Sequence, residues 1–146
     1  MNARRLDPLL RRAEERENAA ARDLAEKTRA LANHEQRLAE LARYASEYAP
    51  PASGITSPAQ LLNRQAFRER IDDAIARQRQ AVEQTRATCD VERARLIIAS
   101  RDSQVLERLA ASYRSREARE QARREQKELD DLAARGLTQR SALETP

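Results

Sequence analysis

The sequence predicts an all-α fold, a long antiparallel two-helix coiled-coil hairpin with an overhanging C-terminal helix, and three observations carry that expectation. The stretch from Pro58 to Arg135 holds no Gly, and no Pro after its first residue, so nothing inside it interrupts a helix. Within it Ile75, Val82, Cys89 and Leu96 recur every seven residues, with Ile71, Ala99, Leu106 and Tyr113 on the alternate seam position. A repeat of 3.5 residues keeps one narrow stripe turned toward a partner helix, which is coiled-coil geometry. Composition agrees: of 146 residues 36% are charged and 3% aromatic, with no Trp and two Gly, a balance that suits a seam and not a compact core.

Helix one is expected over residues 8–49. Asp7 and Pro8 read as a cap followed by a first helical residue, leaving Met1 to Leu6 as a short basic arm. Its seam runs through Leu10, Ala13, Ala20, Leu24, Leu31, Leu38, Leu41, Ala45 and Tyr48, interrupted by Glu17, Lys27 and His34. Pro50 and Pro51 then stop the helix, because neither ring nitrogen can donate to the ladder. Residues 50–57 read as a connecting loop between antiparallel helices.

Helix two is expected over residues 58–135, roughly 115 Å at 1.5 Å per residue. Ser57 caps it, Pro58 takes the first helical position and Gln60 completes a capping box. At the far end Gly136 is placed to turn left-handed, with Leu137 folding back on Leu132, and residues 136–146 read as a flexible tail. The chain is then a single coiled-coil domain over 1–146. Two seam registers fit. One pairs Leu38 with Ile71, His34 with Ile75, Ala20 with Cys89 and Leu10 with Ala99, and sets Glu17 against Glu92, leaning on Arg16 and Arg93. The other, one heptad along, pairs Leu41 with Ile75 and Leu10 with Leu106. In both, helix one ends first and the last roughly 25 to 35 residues of helix two project beyond it. Oppositely charged pairs at four-residue spacing, Glu120 with Arg124, Arg124 with Glu128 and Lys127 with Asp131, would support that extension.

For function the residues first exclude. There is no Gly-rich phosphate loop and no Cys or His cluster, so an enzyme, a cofactor, a metal and a small-molecule substrate are not expected. Cys89 reads as a buried seam thiol and His34 as a seam histidine. No apolar run approaches the length of a membrane span and no signal-peptide core follows Met1, so a soluble cytoplasmic protein is expected. The net charge of +4 invites a nucleic-acid reading, but Arg is interleaved with Glu and Asp almost everywhere, and from Arg114 to Arg135 seven basic and six acidic residues nearly cancel. Nucleic acid is therefore not an expected partner. Phe67, Ile71, Ala74 and Gln78 share one helical stripe beside the seam, which either widens the seam or presents the only Phe as a binding anchor.

Three stretches carry a family likeness. Leu41-x-x-Tyr44-x-x-Glu47-Tyr48, Asn63-x-x-x-Phe67-x-x-x-Ile71-x-x-Ala74-Ile75-x-x-Gln78 and Glu125-Gln126-Lys127-x-x-Asp130-Asp131-x-Ala133-x-Arg135, in that order, resemble the flagellar type III export protein family FliJ. The resemblance implies a non-enzymatic stalk, monomeric in isolation, that inserts its terminal end into the ring of the flagellar export ATPase, a FliI-like hexamer, and promotes ring assembly and ATP hydrolysis. It also implies escort of export substrate chaperones, peripheral association with the inner membrane, and contact with the export gate protein FlhA through Asn63, Phe67, Ile71, Ala74 and Gln78. Ile71 stands where the family pattern has Leu, and Gln78 where some members carry His. On the same likeness the ATPase ring is expected to meet Leu106, Leu109, Tyr113, Arg123, Arg124, Gln126, Lys127 and Asp130. A stalk of a virulence type III secretion system and a generic coiled-coil scaffold are the alternatives that share this architecture.

Overall fold

Seam periodicity and end chemistry become two helices in the computed structural model, which describes residues 2–47 and 57–144. Helix α1 spans Asp7–Glu47 and α2 spans Pro58–Leu143, packed on each other as an all-α hairpin and preceded by a 3-10 turn at Ala3–Leu6. The expected loop lies outside the described residues except for Ser57. That residue is the cap foreseen: its Oγ accepts the Gln60 N–H at 3.3 Å and its carbonyl the Leu61 N–H at 3.2 Å.

The two outer ends differ from expectation. Asp7 is not an N-cap but a helical residue (φ −55°, ψ −45°) that closes the 3-10 turn, and the N-capping role falls to extended Asn2, whose side chain accepts the Arg4 N–H. The supposed basic arm is thus a helical turn, and the reason is tertiary. Its Ala3 and Leu6 are buried, Leu6 to 3% exposure, and burying one Leu side chain contributes about 2 kcal/mol. Pro8 causes no conflict, since first-turn N–H groups have no intrahelical acceptor. At the other end α2 does not stop at Arg135. It runs through Gly136, which has no positive φ, to Leu143, and both Leu132 and Leu137 remain exposed. A helical Gly costs about 1 kcal/mol relative to Ala, which the helix-forming Leu, Ala, Arg and Gln residues around it offset.

Contacts divide the chain into two units. In Arg16–Ala99 the seam positions read from the sequence face inward: Ile71, Val82 and Cys89 are buried, and Leu24, Leu31, Leu38, Ile75 and Leu96 half-buried. Tyr44 meets Phe67 edge-on with ring centroids 6.1 Å apart, and His34 meets Gln78, which fixes the antiparallel sense. Gln78 lies between Ile75, the His34 partner in the first candidate register, and Val82 one heptad on, so neither register holds as written. Glu92 is buried too. Its Oε1 accepts Arg95 Nη1 at 3.1 Å and its Oε2 has no partner, while Arg93, expected to neutralise it, pairs instead with Asp90.

In the unit formed by Met1–Glu15 and Ser100–Pro146 the interior is made of small side chains. Ala3, Ala13, Ser103 and Ala110 are buried, Ala110 to 1% exposure. Short side chains let two backbones approach closely, which is why these positions are better shielded than the longer seam residues Leu10 and Leu106, both half-buried. The Ala3 N–H donates to Glu117 Oε1 at 2.8 Å. From Ala118 to Glu144 every residue is exposed. There Gln121 bridges to Glu125 and Gln126 to Asp130; among the described residues the pairs expected for Arg124 and Lys127 are not closed.

Because Gly136 is helical and nothing lies within 4 Å of a Cβ built on it, Gly136→Ala should strengthen the last turns by about 1 kcal/mol. Hydrogen exchange of the amides around residues 132–143 should slow about fivefold. Unchanged or faster exchange would restore the expected helix end at Arg135.

Candidate docking faces of the second helix

The stripe expected to bind the export gate is divided by its geometry. Ile71 is buried at 8% exposure and Ala74 half-buried, both turned toward α1. Gln78 is also a seam residue: its Nε2 donates to the His34 backbone oxygen at 3.0 Å and lies 3.1 Å from His34 Nδ1. An amide nitrogen only donates, so Nδ1 is the acceptor and the ring proton sits on Nε2. Asn63 and Phe67 point outward, Phe67 at 38% exposure with one edge against Tyr44. The stripe therefore both widens the seam, through Ile71 and Gln78, and presents a face, through Asn63 and Phe67.

The eight positions expected to meet an ATPase ring lie on α2 in the unit containing Ser100–Pro146. Leu106 and Tyr113 are half-buried, since the amino-terminal turn reaches Glu117, while Leu109 is 41% exposed. The Arg116 guanidinium stacks over the Tyr113 ring, 5.6 Å from its centroid. Arg123, Arg124 and Lys127 are exposed, and Gln126 and Asp130 hold each other at 3.1 Å. These side chains are brought together only as faces of one helix and converge on no cleft.

Sequence reasoning missed the burial of Ser103 and Ala110. The signal was present, since Ser103 and Ala110 extend the seven-residue series of Cys89 and Leu96, but neither is a large apolar residue. Among the described residues no group of three or more His, Cys, Asp or Glu could hold a metal ion, and no helix is long and apolar enough to cross a membrane. Cys89 is a buried free thiol in the seam.

An antiparallel pair of long helices joined along a narrow seam is a coiled-coil-like hairpin by fold. The chain belongs to the flagellar FliJ protein family, whose model matches residues 1–142, and it is thereby a component of flagellar type III protein export. No curated protein and no solved structure matches it.

The two Gln78 contacts link α1 to α2 within a partly buried seam, whereas the Arg86–Glu35 pair is about half exposed at both partners. Gln78→Ala should therefore lower stability by about 1 kcal/mol in urea denaturation, and Arg86→Ala by less than about 0.5 kcal/mol. An equal loss for both would mean that the Gln78 amide is solvated.

Proposed function

We propose that this chain is the non-enzymatic stalk of the flagellar export ATPase. It binds the ring of a FliI-like hexamer, promotes ring assembly and ATP hydrolysis, contacts the gate protein FlhA and escorts substrate chaperones. In this reading it works in the cytoplasm, held peripherally at the inner membrane by its partners. Family membership supports the setting, and one structural observation supports the mechanism: α2 continues past Glu117 with every side chain exposed. Isolated helices gain little from packing, so a long unpartnered extension suits insertion into another protein.

The ring contact is assigned to Leu106, Leu109, Tyr113, Arg123, Arg124, Gln126, Lys127 and Asp130. Leu109 and Tyr113 supply aliphatic and aromatic surface next to the last turn of the packed region, and the residues beyond supply charge-assisted hydrogen bonds. The gate contact is assigned to the stripe at the start of α2. Asn63 and Phe67 touch the gate, and Ile71, Ala74 and Gln78 hold that face on the hairpin.

Truncation after Glu117 keeps the anchor of the amino-terminal turn and removes the extension, so it should leave the hairpin folded by circular dichroism. Stimulation of the co-purified export ATPase should fall by about tenfold or more, and swimming with it. A truncated chain that still stimulates fully would move the contact into the packed region.

The gate contact has its own check. Asn63→Ala with Phe67→Ala should weaken FlhA binding about tenfold. Removing the Phe67 edge against Tyr44 costs stability too, so Tyr44→Ala serves as the control. If Tyr44→Ala weakens FlhA binding as much as the double variant, the effect is packing and the assignment fails.

A further inference from the structure

Counted along the chain, the charges of the later part of α2 nearly cancel; placed on the helix, they do not. Arg101, Arg108, Arg116, Arg119 and Arg123 are separated by combinations of three and four residues, with Val105 and Ser112 completing the series. Steps of three and four keep successive residues on one face, so these side chains form a continuous ridge about 33 Å long. All are exposed and all lie in the unit containing Ser100–Pro146. The acidic residues of the same stretch stand elsewhere. Glu107 and Glu117 are on other faces, Glu117 occupied by the Ala3 N–H, and Asp102 and Glu120 border the ridge on one side only.

Nor are the ridge cations neutralised within the chain. Among the described residues none of the five guanidinium groups forms an ion pair, and Arg116 is held only by its stacking on Tyr113. Elsewhere the fold does pair exposed arginines, as Arg86 with Glu35 and Arg93 with Asp90. A row of unpaired guanidinium groups facing one way presents a repeated set of forked donors matched to carboxylate geometry.

We propose that this ridge is a docking face for an acidic protein surface, one that presents carboxylates at the spacing of successive helical turns. The inference rests on the stalk reading above and names the chemistry of the surface that the ring turns toward α2. Protein carboxylates fit better than other anions because the first half of the ridge carries bare aliphatic surface. Val105 is 62% exposed on the ridge itself and Leu109 stands beside it, and a phosphate backbone offers nothing apolar to cover them. A bilayer fits less well. The large apolar side chains of this stretch other than Val105 and Leu109 are turned toward α1, so little remains to insert between lipids.

The test compares the full-length chain with two variants, Arg101→Glu/Arg108→Glu/Arg119→Glu on the ridge and Arg114→Glu/Arg135→Glu on other faces. Both should match the parent in helicity and melting temperature, since all five side chains are exposed. Against the purified export ATPase, the ridge variant should bind about tenfold or more weakly and the control within about twofold of the parent. The difference should shrink as salt rises from about 50 to 300 mM. If the parent neither binds nor stimulates the ATPase, the stalk reading falls and the ridge assignment with it. If the parent binds and the ridge variant binds equally well, the ridge assignment alone is overturned. Phosphatidylglycerol vesicles and a short DNA duplex serve as probes in parallel. Capture of either by the parent, lost in the ridge variant while ATPase binding is unchanged, would also overturn the acidic-protein assignment.

Discussion

The narrowness of the seam between α1 and α2 governs the rest of the structure. Two helices bury only one stripe each, and among the described residues no large side chain reaches full burial. Ile71, Val82 and Cys89 are the best shielded of the regular seam positions in their unit, and each contributes at most about 1.5–3 kcal/mol. Stability must therefore accumulate along many layers instead of residing in a centre. The same geometry leaves most of each helix in water, so any chemistry the chain performs is carried on faces.

Polar groups within the seam supply definition, and they oppose stability only where a buried atom lacks a partner. A strict seven-residue repeat is indifferent to a slide of one heptad, since each apolar layer meets another. The bond from Gln78 to the His34 carbonyl is not indifferent, because any slide leaves a partly buried amide unpaired. Glu92 is a costlier case. One of its oxygens is buried without a partner, and replacing such a group by an apolar one is often neutral or stabilising. Its one partner, Arg95, stands on the same helix, so this contact does not set the register.

What could be read in advance follows from which interactions are local. Seam positions from Leu10 to Ala45 and from Ile71 to Tyr113 were legible because periodicity is written in the chain, polar interruptions included. Ser57 was legible because capping is a contact within one turn. The register was not, since it depends on how Gln78 meets a residue on the other helix. Asp7 and Pro8 form a strong local start signal that the burial of Leu6 overrides, and Gly136 a stop signal that the surrounding helix formers override. Of the candidate stripe, Asn63 and Phe67 are exposed, Phe67 with one edge against Tyr44, whereas Ile71 and Gln78 belong to the seam. The arginine ridge was hidden for a simpler reason: alternation along a sequence becomes segregation when each residue turns by about 100°.

Beyond Glu117 no tertiary burial supports α2, and its persistence needs a separate cause. The unfavourable step in helix formation is nucleation, with each further residue added at little cost when it is a good helix former. The packed stretch of α2 supplies the nucleus, so the extension only propagates, aided by bridges such as Gln121 to Glu125 and Gln126 to Asp130 at a few tenths of a kcal/mol each. Order gained in this way declines with distance from the packed region. Tyr113, Arg116, Arg119 and Arg123 therefore sit on preformed helix, and a partner that grips them orders little new structure. A partner gripping Leu129 or Leu143 would have to suppress fraying as it binds, and the affinity available per contact falls accordingly.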